Sequence, residues 1–217
     1  MKHISTIIFD FGGVIITIDQ QQAIARFEEI GLADADQRLD PYTQTGIFGD
    51  LESGEIDGET FRIELEKLTG KPVTHEQCCY AWQGYCKELP QRNLHYLQEL
   101  RKRGYRVLLL SNTNPLMMGW AMSCEFDGKG NPIQSYFDGL YLSYRCRLMK
   151  PSSEIFKKLL HEENISADEA LFVDDGQRNI DIARQLGFNT FCPVNGEEWI
   201  TPLEQILLTH SNSTDHK

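Results

Sequence analysis

Short apolar runs, each followed by polar residues, recur along the chain and constrain its fold more than any other feature. They are rich in β-branched and aliphatic side chains and show no polar alternation, which is typical of strands buried on both faces of a parallel sheet. The runs lie at residues 4–9 (ISTIIF), 106–110 (RVLLL), 140–142 and 171–173 (LFV), with a weaker copy at 189–192.

Helical patterns separate these runs. Residues 93–103, 152–161 and 178–186 each carry apolar residues on one face, and Gly104 and Gly187 follow the first and the last of them. Glycine directly after a periodic segment is typical of a helix end. Strands that alternate with helices predict an α/β fold with a Rossmann-like parallel sheet.

One long segment breaks the alternation. Between residues 19 and 90 the patterns are helical, at 20–30, 59–68 and 75–87. A glycine-rich segment (GIFGDLESGEIDGE) interrupts the helical pattern between the first two. A chain of 217 residues suffices for one packed domain and a small lobe. We therefore predict a core formed by residues 1–18 and 91–217, with a helical cap at 19–90.

The charge balance excludes several kinds of partner. Lys and Arg number 21 against 32 Asp and Glu, a net charge of −11, and no basic cluster suited to nucleic acid is present. No apolar run is long enough for a membrane span, and the N-terminal run lacks a signal-peptide cleavage site. Six cysteines without metal-binding spacing indicate a reducing compartment, so a cytoplasmic location is expected. No oligomeric state follows from the sequence.

Polar clusters follow the predicted strands. Asp10, Ser111 with Asn112, and Asp174 with Asp175 each come directly after an apolar run, and Lys150 lies in a loop before the next helix. In open α/β sheets, ligands bind in the crevice at the carboxyl ends of the strands. We therefore expect these side chains to meet in one crevice, although they are distant in sequence.

The residue types in these clusters suit phosphoryl transfer. Three carboxylates in one crevice repel each other unless a cation joins them, and Mg²⁺ prefers such oxygen ligands. Lys150 and Ser111 supply the charge and hydrogen bonds that a phosphoryl group needs. Backbone amides around Gly12 and Gly13 offer an anion seat, and an aspartate can attack phosphorus to form an aspartyl-phosphate.

The clusters also resemble a known family. FDFGGV, LLLSN, K-P and VDD followed by NIDIA are similar, in order and interval, to the four motifs of the haloacid dehalogenase superfamily, and the resemblance covers the whole chain with its cap. It implies a magnesium-dependent phosphatase in which Asp10 is the nucleophile and a metal ligand. It further implies phosphate binding by Ser111, Asn112 and Lys150, and metal binding by Asp175 and, directly or through water, by Asp174.

Gly12 departs from the superfamily pattern. Phosphatases of the superfamily usually carry a second Asp two positions after the nucleophile as general acid and base. Gly12 can offer only its backbone carbonyl to the metal, and a missing general acid typically costs about 10²–10⁴-fold in rate. Either the substrate has a good leaving group or the proton comes from elsewhere. Asp19 is a candidate donor, although capping of the helix at 20–30 is the favoured interpretation.

Other cap residues receive structural interpretations. Trp82 and Tyr85 are expected in the core of the cap rather than in contact with substrate. The acidic run of Glu52, Glu55 and Asp57 is expected to be a solvated loop, although the corresponding cap loop of related proteins faces the active site.

The sequence thus predicts a magnesium-dependent hydrolase of small phosphorylated metabolites. SNTNPLMMGWA and FDGLYLSYRCRLMKPSSEIF resemble the branch with bacterial sugar-phosphate phosphatases, such as α-glucose-1-phosphate phosphatases, so sugar phosphates are candidate substrates. Three alternatives stay open: a binding or regulatory protein that has lost turnover, a phosphomutase, and a metal-free haloacid dehalogenase. Fold alone does not choose among them.

Overall fold

The computed structural model describes residues 3–40 and 44–212, of which 211 and 212 are described as backbone. The strands are β1 (Thr6–Phe9), β2 (Thr17–Ile18), β3 (Cys86–Glu88), β4 (Arg106–Ser111), β5 (Gly139–Leu142), β6 (Ala170–Val173) and β7 (Asn189–Phe191). The α-helices are α1 (Gln20–Glu29), α2 (Ala35–Arg38), α3 (Gly46–Ser53), α4 (Gly58–Thr69), α5 (His75–Trp82), α6 (Gln91–Lys102), α7 (Pro115–Ala121), α8 (Ser143–Cys146), α9 (Ser153–Glu163), α10 (Gln177–Gln185) and α11 (Ile200–Asn212).

Five strands form one parallel sheet in the order β5-β4-β1-β6-β7, which confirms the predicted Rossmann-like core. Strand β1 lies at its centre, where Phe9 pairs with Leu109 on one side and Val173 on the other. The connections run outward in opposite directions on the two sides of β1. The carboxyl end of β1 is therefore a topological switch point, where open α/β sheets bind ligands.

Alternate residues of the strands face two different apolar clusters. Ile7 and Phe9 pack on the face covered by α6, α7 and α11. Ile8 points to the opposite face and packs with α9 and α10. Because side chains alternate across a strand, uninterrupted apolar runs are needed to cover both faces. This explains why the runs lack polar alternation.

The cap stands on a short antiparallel stem. Strand β2 pairs with β3 where the chain enters and leaves the cap, close to the predicted limits of 19 and 90. Helices α1 to α5 enclose an aromatic cluster formed by Phe27, Phe48, Phe61 and Trp82. Leu116 from α7 of the core belongs to the same cluster, so the cap packs on the core through a continuous apolar contact.

Two sequence predictions for the cap were wrong. The glycine-rich segment, predicted as a break between helices, contains helix α3. Phe48 and Leu51 of α3 face the aromatic cluster of the cap, and the helix ends at Gly54 with a φ of 77°. The helix predicted at 75–87 ends at Trp82, because residues 86–88 extend to form the stem with β2. In both cases tertiary contacts outweigh the local pattern.

None of the described helices is both long and apolar enough to cross a membrane.

Candidate active site

The turn after β1 places Asp10 at the switch point. The Asp10 backbone N–H donates to the Val173 carbonyl at 2.9 Å, and the Phe11 N–H donates to the Asp10 Oδ1 at 2.7 Å. The N–H groups of Ile15 and Ile16 both donate to the Phe11 carbonyl, which closes the turn. The Asp10 carboxylate is thereby fixed at the strand end with 14% of its side chain exposed.

Two buried donors hold the far side of this turn. The Asn93 Nδ2 donates to the carbonyls of Val14 and Ile15, and the Trp199 Nε1 donates to the Val14 carbonyl at 2.8 Å. A buried carbonyl without a partner costs stability, so the two donors fix the turn from within the core.

Lys150 bridges two carboxylates inside the protein. Its Nζ lies 3.0 Å from the Asp10 Oδ1 and 2.6 Å from the Asp174 Oδ2, and only 1% of its side chain is exposed. Burial alone would lower the pKa of Lys150, but the two carboxylates overcome that effect and raise it. The ammonium group is therefore held in its charged form beside the nucleophile.

Asn112, directly after β4, binds the backbone of Lys150. Its side-chain Nδ2 donates to the Lys150 carbonyl and its Oδ1 accepts from the Lys150 N–H, both at 2.8 Å. The amide group thus fixes the backbone of Lys150 with its oxygen and one of its two N–H bonds, and its role in phosphate binding stays a prediction. Ser111 ends β4, lines the cavity described below and is 2% exposed.

Asp174 and Asp175 follow β6 and differ in their surroundings. Asp174 is fully buried and accepts from the Gly176 N–H at 2.8 Å and from the Asn179 side chain at 3.0 Å. Asp175 lies against Gly13, where a Cβ atom would come within 2.0 Å of the Asp175 Oδ2. Gly13 also has a φ of 75°, a conformation that favours glycine.

The three aspartates can hold a metal ion. Asp10, Asp174 and Asp175 each place a carboxylate oxygen within 4.8 Å of the others, and no other group of at least three His, Cys, Asp or Glu residues in the described part of the chain meets this condition. Three carboxylates against the Lys150 ammonium leave two negative charges, which a divalent cation would balance. An all-oxygen donor set fits Mg²⁺ rather than a softer metal.

The raised pKa of Asp10 agrees with a cation site between the three aspartates. Burial raises the pKa of Asp10 to about 7, Lys150 opposes the rise, and the negative charges of Asp174 and Asp175 add to it. A cation between the carboxylates would favour the ionised, nucleophilic form of Asp10.

A cavity of about 340 Å³ opens above the aspartates, between core and cap. The core contributes Asp10, Gly12, Ser111, Asn112, Lys150, Asp175 and Arg178, and the cap contributes Gln44, Glu52, Trp82 and Tyr85. Asp174 lies beneath this surface. Gly13 follows the cavity-lining Gly12 and lies against Asp175, where a Cβ atom would not fit, and its role in phosphate binding stays a prediction.

Glu52 is the functional candidate that the sequence analysis missed. It lies in the last turn of α3 and faces the cavity, whereas Glu55 is exposed and Asp57 caps α4 by accepting from the Thr60 N–H. Burial and the negative charge of Asp10 raise the pKa of Glu52 to about 8. Recognising α3 as a helix with Phe48 and Leu51 inward would have separated Glu52 from the solvated acidic run.

The remaining cap predictions have clear outcomes. Asp19 caps α1 by accepting from the Gln22 N–H at 3.1 Å, which agrees with the capping role that the sequence favoured over proton donation. It does not line the cavity. Trp82 and Tyr85 belong to the apolar cluster of the cap, as predicted, but both also line the cavity. The Trp82 Nε1 is buried without a hydrogen-bond partner among the described residues.

Comparison with known proteins identifies the family. A model of haloacid dehalogenase-like hydrolases matches residues 4–187. The chain is 48% identical over 204 residues to a D-ribitol-5-phosphate phosphatase of Bacteroides thetaiotaomicron, covering 94% of this chain and 98% of the relative.

Solved structures agree. A predicted HAD-like hydrolase of Porphyromonas gingivalis superposes with a TM-score of 0.89 at 41% identity, over 94% of this chain and 98% of that one. A HAD family enzyme of B. thetaiotaomicron, solved with magnesium and inorganic phosphate, superposes with a TM-score of 0.83 at 32% identity, over 92% and 98% of the two chains. The chain belongs to the haloacid dehalogenase-like hydrolase family.

Proposed function

We propose that the protein hydrolyses the phosphate monoester of a small polyol, with D-ribitol 5-phosphate as the first candidate. The chain is a magnesium-dependent phosphatase of small phosphorylated metabolites. The polyol follows from the relative that is 48% identical over nearly its whole length. The observation that carries the proposal is the cavity, which joins the aspartate cluster of the core to polar groups of the cap.

The core residues take the following roles in this proposal. Asp10 attacks phosphorus and forms the aspartyl-phosphate, and Lys150 neutralises Asp10 and a phosphate oxygen. Ser111 and the backbone amides after Asp10 and Ser111 donate hydrogen bonds to the phosphate. Asp10, Asp174, Asp175 and the Gly12 carbonyl would hold Mg²⁺, which would balance the charge of the cluster and the phosphate.

The cap residues suit a polyhydroxylated substrate. Gln44, Glu52, Trp82 and Tyr85 line the cavity opposite the aspartates. The Trp82 N–H is a buried donor without a partner among the described residues, and Glu52 makes no hydrogen bond or ion pair with any of them. A polyol offers both donors and acceptors, so it can satisfy such groups where an apolar substrate cannot.

The state of the cysteines and the net charge of the chain are both compatible with this function. All six cysteines are free thiols, which agrees with the reducing, cytoplasmic location that we propose. The net charge of −11 gives no long-range attraction for an anion, so Lys150, Arg178 and the metal must act locally.

A substrate panel tests the proposal. Phosphate release in Mg²⁺ would be measured with D-ribitol 5-phosphate, D-ribose 5-phosphate, glycerol 3-phosphate and α-D-glucose 1-phosphate. We expect the highest kcat/KM with D-ribitol 5-phosphate and no turnover by Asp10→Asn, which keeps the shape of the side chain. A preference for α-D-glucose 1-phosphate, the branch that the sequence resembles, would overturn the polyol assignment. Turnover by Asp10→Asn would overturn the covalent mechanism.

A further inference from the structure

Outside the aspartate cluster, no carboxyl group among the described residues of the core lines the cavity to protonate the leaving oxygen. Gly12 has no side chain where the superfamily usually carries an acid, and Asp19 is used to cap α1. The carboxyl groups that line the cavity are those of Asp10, Asp175 and Glu52. Asp10 is the nucleophile and Asp175 belongs to the aspartate cluster, so Glu52 is the carboxyl group left for this task.

We propose that Glu52 is the general acid and base of the reaction, supplied by the cap in place of the aspartate that Gly12 replaces. This inference rests on the proposed phosphatase function. In the first step an Asp10 oxygen bonds to phosphorus, the ester P–O bond breaks, and the Glu52 proton moves to the leaving oxygen to give the alcohol. In the second step Glu52 takes a proton from water as the water oxygen bonds to phosphorus, and the bond from phosphorus to Asp10 breaks.

The position of Glu52 is set by contact between cap and core. Helix α3 ends at Gly54, where a Cβ atom would lie 2.3 Å from the Tyr144 carbonyl oxygen in α8. This close approach docks the end of α3 on the segment that leads to Lys150. Glu52 precedes the contact by two residues and faces the cavity. The donor is therefore present only when the cap lies on the core, which would couple proton transfer to closure.

The surroundings of Glu52 favour a carboxyl group that carries its proton. No cation contacts it among the described residues, since the Lys150 ammonium pairs with Asp10 and Asp174. Its partial burial and the nearby negative charge of Asp10 also disfavour its ionised form, with a pKa raised to about 8. Efficient general acids have pKa values near the working pH.

The substrate class makes a donor necessary. D-Ribitol 5-phosphate is a primary alkyl phosphate, which leaves as a strongly basic alkoxide unless it is protonated. General acid catalysis typically supplies about 10²–10⁴-fold in such a step. A chain with Gly12 and no substitute donor would be restricted to esters with good leaving groups, such as aryl phosphates.

Leaving-group dependence separates proton donation from substrate binding. Glu52→Gln keeps the size and hydrogen bonding of the side chain but cannot donate a carboxyl proton. In single-turnover experiments we expect about 10²–10⁴-fold slower alcohol release from D-ribitol 5-phosphate. The burst of p-nitrophenolate from p-nitrophenyl phosphate should fall less than about threefold, since that leaving group needs little protonation. Glu55→Gln, an exposed change on the same segment, is the matched control.

A second variant tests the same idea by rescue. Gly12 can accept a side chain, because its Cβ would approach only the Ile18 Cγ2 at 3.3 Å. Adding Gly12→Asp to Glu52→Gln should recover at least about tenfold of the rate with the alkyl ester and change the aryl ester little. An equal loss with both esters in Glu52→Gln, or no loss with either, would overturn the assignment.

Failure of the substrate proposal gives a different result. If wild-type protein ignores D-ribitol 5-phosphate but hydrolyses another primary alkyl phosphate, the same pair of variants is measured on that ester. If Asp10→Asn stays active, the covalent mechanism fails, whatever Glu52 does.

Discussion

The core and the cap contribute to the same cavity in contrasting ways. In the core, the charged groups are paired: Lys150 bridges Asp10 and Asp174, and Asn112 locks the backbone of Lys150. In the cap, Glu52 and Trp82 line the cavity, and neither the Glu52 carboxyl group nor the buried Trp82 Nε1 has a hydrogen-bond partner among the described residues.

This contrast separates the tasks of the two regions. Paired, buried charges give a rigid site that treats every phosphate monoester alike, because all of them carry the same phosphoryl group. Polar groups without protein partners are available to the part of the substrate that varies. The core is therefore expected to set whether the reaction occurs, and the cap to set which ester reacts and how its oxygen is protonated.

Lys150→Met should lower kcat/KM by about 10²–10³-fold for every ester, aryl and alkyl alike, because the lost ammonium serves the shared phosphoryl group. Kinetics with p-nitrophenyl phosphate and D-ribitol 5-phosphate would measure the effect, with circular dichroism to confirm folding. Lys157→Met, at a lysine whose side chain is 55% exposed, is the control. If the loss differed tenfold between the two esters, the core would take part in selectivity and the division would fail.

Asp10→Asn should stabilise the metal-free protein at pH 8. The pKa of Asp10 is raised from 3.8 to about 7, so its contribution to stability is present below pH 4 and is lost as the pH rises to 7. The neutral amide avoids that loss, and we expect a gain of about 4 kcal/mol, or roughly 8–16 °C in Tm.

Thermal melts at pH 8 and pH 4 in a chelator would measure this gain, which should vanish at the lower pH. Asp36→Asn, at an exposed residue of the cap, should change Tm little at either pH. An Asp10→Asn protein that melts below the wild type at pH 8 would show that the core charges are fully compensated by Lys150.

Magnesium affinity should weaken by about tenfold between pH 8 and pH 6. The ion binds ionised Asp10, and below a pKa of about 7 it must displace a proton, which costs tenfold in affinity per pH unit. Calorimetric titration with Mg²⁺ at the two pH values, with buffers of different ionisation enthalpy to count protons, would measure this. Equal affinities without proton release would place Asp10 outside the metal site.

Trp82→Phe should raise KM for D-ribitol 5-phosphate by about threefold to tenfold, the value of one hydrogen bond, because the indole N–H is lost while an aromatic ring is kept. The KM for p-nitrophenyl phosphate, which has no hydroxyl group, should change less than about twofold. Trp120→Phe removes an indole N–H that does not line the cavity and serves as the control. Equal changes with both esters would assign Trp82 to cap packing alone.

For the core, local sequence patterns were sufficient to predict the parallel sheet and the edge at which its polar residues meet. Asp10, Ser111, Lys150, Asp174 and Asp175 each follow or lie near a buried strand, and parallel strands bring their carboxyl ends to one edge of a sheet. Local pattern therefore implies spatial proximity there. The phosphate and metal roles of individual residues stay predictions, and the structure adds that the side chain of Asn112 holds the backbone of Lys150.

The contribution of the cap to the cavity depends on contacts between residues that are distant in sequence. No rule of topology relates a position in a helical insertion to a sheet edge, so Glu52 could not be distinguished from its exposed neighbour Glu55 by composition. Helix α3 forms because Phe48 and Leu51 pack into the aromatic cluster, and Gly54 then sets its end against the core. Glu52 reaches the cavity through these long-range contacts, which local sequence does not encode.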